Sequence, residues 1–410
     1  MNCPAITACS KSVTAEELPV DVALSRHADD WRRLAAEAAD STLFMHPAVT
    51  QSWAEGIAPG HVTPSIAIVR ERTHLLGVLP LMRARMWRGP ALVPRVDYAP
   101  YDTDLAPGTK RVFPVRQLSS LVSWRCAAIR PTTLALPRDR PVVLGTLAAL
   151  LARSKGIDQI VLPTLDGAEA ALWQDAFGRA GVDAWVHRLK RPVLTLQNLR
   201  PVEELMAGGS RNFRRRIARA RKAGQDCELT FEVLAGPAAR AGLPLVAEVA
   251  KRSWKAAAPT PDQIAIPYAG PQQRFVEGLL KKGSGDLNPV LILGRIAGEP
   301  VVATLCLRHG DCLTPLVTFR TDAAPEASPG LLSLAAAIDW AAEAGIARID
   351  WNATQDWLRP LVDRESSLCN LVAFLPTLRG RLYDRIARRR AGLSSPAELG
   401  APDLPPNASR

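Results

Sequence analysis

Short apolar runs broken by Gly, Pro and charged turns set the pattern of this chain, and the period of each run separates helices from strands. In the first 200 residues, helical spacing covers residues 31–39 (WRRLAAEAA), 142–152 (VVLGTLAALLA) and 168–180. Strand-like runs cover residues 66–70, 75–81, 159–162 and 193–196. Residues 97–104 (DYAPYDTD) read as a loop. The second 200 residues are cleaner. A basic helical region spans residues 202–223, with a break predicted at Gly208-Gly209. Residues 229–234 alternate as a strand, and residues 245–254 and 273–281 have helical spacing. Three strands follow at 290–296, 301–309 and 312–319, with Gly298 and Gly310 at the turns. A helix over 329–344 carries Leu331, Leu334, Ala335, Ile338 and Ala342 on one face and ends at Gly345. Strands at 347–351 and 371–375 precede an arginine-rich C-terminal helix. The order strand–strand–strand–helix–strand is not the strict alternation of a doubly wound fold.

Composition narrows the class. The chain has 410 residues, 47% of them hydrophobic and 22% charged, which is globular and suggests two domains. The longest apolar run, residues 142–152, is too short to cross a bilayer, and residues 1–17 carry no secretory pattern. The expectation is a soluble, cytoplasmic protein with no membrane insertion. Seven scattered cysteines form no CxxC and the six histidines lie far apart, so no metal site is expected. Residues 1–17 and 393–410 read as disordered, leaving domains at 18–200 and 201–392.

The net charge is +11 and it is concentrated locally. Residues 205–225 hold seven cations and no acid, and residues 379–390 hold six arginines against Asp384. Such patches suit phosphorylated ligands, an acidic carrier protein, nucleic acid or anionic lipid. The arginines of residues 211–222 fall at many angles rather than on one face, so this helix reads as solvated or bridging. No GxGxxG follows a strand, and no GxxxxGK[ST] loop or GxSxG elbow occurs. Dinucleotide-binding, P-loop and elbow-hydrolase classes lose their markers.

The chemistry-bearing stretch is residues 312–351. A strand ends in LVTFRT, a loop DAAPEASPG follows, and a helix starts at Pro329, where its missing N–H costs nothing. Ser328 stands at the N-cap position, and Gly330 lets backbone approach a bulky ligand. The amides of Gly330, Leu331 and Leu332, with the positive end of the helix dipole, are expected to form an anion pocket suited to a diphosphate, and Arg320 to add a charge-assisted bond.

These stretches together resemble the GNAT acyltransferase superfamily, and within it the branch with two tandem GNAT-like halves. That branch includes cellulose-biosynthesis-like acetyltransferases and FemAB/FemX-like aminoacyl transferases. The resemblance is carried by LFMHPAVTQSW (43–53), LGVLPLMRAR (76–85), RNFRRRIARARKA (211–223), the Ser253-Trp254-Lys255 element, EASPGLL (326–332) and IDWNATQDWLR (349–359). It implies an α/β (α+β) fold of two tandem GNAT-like domains, with mixed, largely antiparallel sheets flanked by helices. It also implies N-acyl transfer from acyl-CoA to a primary amine of a small molecule or sugar by direct attack, without a metal. Acyl carrier protein or aminoacyl-tRNA are alternative donors. A non-catalytic acyl-CoA- or nucleic-acid-binding module is the remaining class.

Under this resemblance the pantetheine arm lies along Val317, Thr318, Phe319 and Arg320, and the pyrophosphate on Ser328, Gly330, Leu331 and Leu332. Asp350 is the first candidate base, with Asp356 and Glu299 weaker, and Asn352 holds the acceptor or a water. Trp254, Lys255, Arg359, Tyr98 and Tyr101 are candidate acceptor contacts. Related chains carry a Tyr-Lys pair where this one has Trp357-Leu358-Arg359, so the charge is kept and the tyrosine is not.

Overall fold

The computed structural model describes residues 13–38, 42–56, 58, 62–88, 113–120, 133–188, 193–253, 256, 270–283, 285–351 and 356–391. They form two mixed sheets. The first has the order β1-β2-β3-β4-β6-β15-β7, with β5 on β3. Its strands are β1 (Val13–Pro19), β2 (Val62–Glu71), β3 (His74–Arg88), β4 (Phe113–Ser120), β5 (Leu134–Ala135), β6 (Gln159–Asp166), β7 (Ala184–Arg188) and β15 (Leu368–Phe374). The second has the order β14-β8-β13-β12-β11-β10-β9. It comprises β8 (Val193–Leu196), β9 (Thr230–Ala235), β10 (Leu287–Ile296), β11 (Glu299–His309), β12 (Cys312–Arg320), β13 (Arg348–Asp350) and β14 (Arg364–Ser366). The helices are α1 (Val20–Glu37), α2 (Pro47–Gly56), α3 (Arg140–Ala152), α4 (Gly167–Arg179), α5 (Val202–Gly208), α6 (Arg211–Asp226), α7 (Pro237–Ala241), α8 (Leu243–Lys251), α9 (Gly270–Lys282), α10 (Pro329–Glu343) and α11 (Leu378–Ala391).

The two sheets repeat one plan. In the first, β2, β3 and β4 run antiparallel, and a crossover through α3 returns to β6 parallel to β4. In the second, β10, β11 and β12 run antiparallel, and α10 returns the chain to β13 parallel to β12. Each sheet then takes in a strand from the other half of the sequence. β8 enters the second sheet between β13 and β14, and β15 enters the first between β6 and β7. A cut at 200/201 divides the sequence but leaves each sheet without one internal strand.

Residue alternation along β10 shows how the second sheet is covered. Val290 and Ile292 point to the face packed under α10 and α6, with Ile338, Ile217 and Phe213. Leu291 and Leu293 point to the opposite face, where α8 and α9 meet α2, Phe44, Trp53 and Met82 of the first half. That junction is a continuous apolar core. It is tight at Gly56, where an added Cβ would stand 2.9 Å from the Phe275 backbone nitrogen, so α2 and α9 cross at backbone contact.

Residues 13–17, expected to be disordered, belong to strand β1, which pairs with β2 from Val13↔Glu71 to Pro19↔Ser65. Its charges conceal it in sequence. Glu16 pairs with Arg70, and Glu17 is held by Arg83 and Ser65. Residues 1–12 and 392–410, and the loop expected at 97–104, lie outside the described residues.

Candidate functional site

The two parallel strands at the centre of the second sheet are paired at two positions, Cys312↔Arg348 and Leu313↔Ile349. β13 then turns to β8, with Asp350 opposite Thr195, while β12 continues through residues 314–320 against β11 alone of the sheet strands. The strands therefore splay into a wedge whose vertex lies at residues 313 and 349. The ladder between β11 and β12 steps from Leu305↔Val317 to Cys306↔Pro315, which leaves Leu316 as the extra residue of a bulge. Pro315 supplies the cause, since it has no N–H to give a regular ladder.

The mouth of the wedge is the turn from β12 to α10. Ala324 and Ser328 both adopt left-handed backbone (φ 49° and 45°) on either side of a 3-10 turn, Pro325–Ala327. Ser328 holds the N-cap position but its hydroxyl caps nothing. Instead its carbonyl oxygen accepts from the N–H of Leu331 (2.9 Å) and of Leu332 (3.2 Å). This corrects the expected three-amide pocket. The Leu332 N–H makes the ordinary first bond of the helix and the Leu331 N–H a 3-10-type bond to the same carbonyl, so two of the three amides are satisfied internally. Pro329 has no N–H, and the Gly330 N–H binds no backbone acceptor among the described residues. What faces an anion is this one amide, the helix dipole and Arg320.

Arg320 is in place for that task. A Cβ built on Gly330 would lie 3.7 Å from Arg320 Cδ and 4.0 Å from Thr318 Cγ2. The glycine thus keeps a slot open between helix, arginine and strand. The Arg320 side chain is 40% exposed, and Asp322 stands 3.7 Å from its guanidinium. Beneath the slot runs a chain of buried hydroxyls: Thr318 Oγ1 and Thr304 Oγ1 at 3.0 Å, Thr304 Oγ1 and Ser333 Oγ at 2.9 Å, and Ser333 donating to the Gly330 carbonyl at 3.0 Å. It pins the first turn of α10 to β11 and β12. Sequence reasoning did not select Thr304 or Ser333. Their signal was a lone hydroxyl inside an otherwise apolar strand (VVATLCL) and helix (LLSLAAA).

Asp350 lies at the vertex, one residue beyond the last position of β13 paired with β12, and is buried. The Cys312 thiol sits beside it. Burial pushes that thiol up, and the Asp350 carboxylate adds to the rise. Arg348 lies 3.6 Å from Asp311. Val317 and Phe319 are buried, facing the junction core. Leu331 and Leu332 are buried too.

The expected acceptor-side residues are not brought together by the described part of the molecule. Asn352, Trp254, Lys255, Tyr98 and Tyr101 lie outside the described residues, and Asp356 is described in backbone only, at the start of a 3-10 turn (Asp356–Leu361). Arg359 is on the surface, paired with Glu365. Glu299 is on the surface, 3.5 Å from Arg252. Among the described residues no group of three His, Cys, Asp or Glu could hold a metal ion, and no helix is long and apolar enough to cross a membrane.

Comparison with known proteins agrees with this geometry. Residues 211–357 match the family model described as an acetyltransferase (GNAT) domain. Among solved structures, FemX superposes with a TM-score of 0.54 at 12% identity, covering 88% of this chain and 98% of FemX. A tandem GNAT protein from the clavulanic acid biosynthesis pathway gives 0.44 at 11% identity, over 88% of this chain and 98% of that one. The C-terminal domain of a putative lysylphosphatidylglycerol synthetase from Agrobacterium fabrum gives 0.49 at 11% identity, over 90% and 96%. Of these three, FemX alone passes 0.5, and the fold comparison rests on it. No curated protein sequence matches the chain. Residues 211–357 match a GNAT acetyltransferase domain, and the chain as a whole shares the fold of FemX.

Proposed function

We propose that this chain transfers an acyl group from a thioester on a phosphopantetheine arm, coenzyme A in its simplest form, to a primary amine on a small molecule or sugar. The observation that carries the reading is the two-position contact between β12 and β13, which leaves a wedge ending at the slot beside Gly330. In this reading the arm lies along Val317, Thr318, Phe319 and Arg320. Its phosphates meet the Gly330 N–H and the Arg320 guanidinium. The amine nitrogen attacks the thioester carbonyl, the carbon–sulfur bond breaks, the thiolate takes up a proton, and Asp350 receives the proton lost from the amine. Residues 201–392 hold the donor and residues 18–200 shape the acceptor's approach, with β8 and β15 exchanged between their sheets.

The test pairs binding with turnover. Coenzyme A and acetyl-CoA are expected to raise the melting temperature, and thiol release is followed over a panel of amines. Asp350→Asn is expected to lower kcat about 100-fold while leaving the coenzyme A shift unchanged. Full turnover in that variant would remove Asp350 from the proton route. Absence of any coenzyme A shift in the unmodified chain would overturn the donor site.

A further inference from the structure

Four of the seven cations of α6 share one line along the helix. Phe213, Ile217, Ala220 and Gly224 form its buried face. Arg211, Arg215, Arg219 and Lys222, at i, i+4, i+8 and i+11, form one exposed stripe directly opposite. Arg216 is exposed to one side of this stripe, and the other two arginines are used locally. Arg214 donates to the carbonyl oxygens of Ala207 (3.3 Å) and Gly209 (2.7 Å), closing the end of α5, and Arg221 pairs with Glu203. Among the described residues no carboxylate pairs with the four stripe cations. The molecule thus keeps a row of charge about 16 Å long, with a pitch of about 6 Å, unused in its own fold.

The position of the row gives it a use. α6 packs against the Pro325–Ala327 turn, which leads directly into Ser328 and Gly330. We infer that the stripe docks an acidic helix of an acyl carrier protein, which then delivers its phosphopantetheine arm over Gly330 into the wedge. The inference rests on the thioester-donor reading above and names the form in which the donor arrives. Carboxylates at i and i+4 on a partner helix have the same 6 Å pitch as the stripe, so the two rows match charge for charge.

An RNA donor fits less well. Glu203, Asp339 and Glu343 gather along one flank of the stripe, where burial and the two glutamates push the Asp339 carboxyl up. A phosphate backbone would meet that acid. The large exposed apolar side chains among the described residues are Val142, Leu172, Leu378 and Leu382, so none is an aromatic on which bases stack.

The test measures binding of the full chain by fluorescence anisotropy. The probes are a fatty-acid acyl carrier protein without its arm, the same protein carrying acetyl-phosphopantetheine, and a short RNA duplex. Both carrier forms are expected to bind, the loaded one more tightly, with affinity falling as salt rises. The triple variant Arg211→Glu/Arg215→Glu/Arg219→Glu is expected to weaken carrier binding at least tenfold and to leave the coenzyme A melting shift intact. An equal change of charge on α11, Arg379→Glu/Arg381→Glu/Arg385→Glu, is expected to leave carrier binding unchanged. The corresponding alanine triple on α6 guards against a folding defect. Equal losses in the two glutamate triples, or no binding of the armless carrier, would overturn the docking surface. RNA binding tighter than the carrier's and lost in the α6 triple would assign the stripe to nucleic acid instead. A missing coenzyme A shift in the unmodified chain strikes the wedge alone, because the armless carrier docks without it.

Discussion

The two halves share a plan and differ where their parallel strands meet. In the first half β4 and β6 pair at three positions, Gln117↔Gln159, Leu118↔Ile160 and Ser119↔Val161, and a buried clamp locks their start. The Asp158 carboxylate accepts from the Arg116 backbone N–H (3.1 Å), from its guanidinium (2.9 Å) and from the Thr377 hydroxyl (2.8 Å). Burial opposes its charge, but these donors outweigh burial and hold it below the usual carboxylate range. In the second half the corresponding start is held by the Ala347 N–H donating to the Asp311 carbonyl oxygen (3.0 Å), and Asp350 stands at the opposite end of the pairing, near the Cys312 thiol. The crossover helices differ in the same sense. α10 opens Pro329-Gly330 and keeps a slot, while the first turn of α3 reads Pro141-Val142, with a side chain where the slot would be. On the proposed function the first repeat is closed and the second is open to the acyl donor.

The comparison can be broken in several ways. The largest effect is expected from ending the chain before Leu368. β6 and β7 lose the strand between them, a loss comparable to the whole stability of a domain, about 5–15 kcal/mol, and near-UV circular dichroism should show the first half unfolded. A cooperative melt in that truncation would mean the exchange is dispensable.

Acid comes next. His46 joins the halves. Its Nδ1 accepts from the Ala48 N–H at 3.2 Å, capping α2, so its proton is on Nε2, which donates to Asp286 at 3.3 Å. Burial lowers its pKa to about 4, from the 6.5 of an ordinary histidine. The unfolded chain therefore binds this proton more readily than the folded one. Stability is complete above pH 6.5 and about 3 kcal/mol is lost as pH falls from 6.5 toward 4. His309, 5.6 Å away ring to ring, is lowered in the same direction by burial. Urea melts across that range check the slope, and His46→Asn should flatten it.

Gly330→Asp should abolish the coenzyme A melting shift, which is about 3 kcal/mol at a hundredfold excess over Kd, without lowering the unliganded melting temperature, because the slot has room. Val142→Asp, on an exposed position of the closed repeat, should leave the shift intact. The smallest effects concern hydroxyls. Thr304→Val removes the hydroxyl shared by Thr318 and Ser333 and should cost roughly 1 kcal/mol. Ser119→Ala should cost almost nothing by urea denaturation, because the buried Ser119 hydroxyl has no partner among the described residues.

Local chemistry made much of this legible in sequence. The break at Gly208-Gly209 separates α5 from α6 as expected, and Gly298, Gly310 and Gly345 take positive φ where the strands turn and α10 stops. Residues 193–196 form β8 at the predicted bounds. The failures are non-local. Nothing in residues 371–375 says that this strand enters the distant first sheet, since its apolar run suits any buried position. β1 was hidden because its glutamates are neutralised by arginines far along the chain. At the site, the SPG tripeptide located the turn, but the left-handed Ser328 depends on the turn's three-dimensional path.

Hydrogen exchange of backbone amides, with and without coenzyme A, tests the contrast between the repeats most directly. New protection is expected on residues 316–320 and 328–332, with none on 117–120 or 140–144. Protection on the first-half strands, or no protection at Gly330, would contradict the assignment of the ligand cleft to the second repeat.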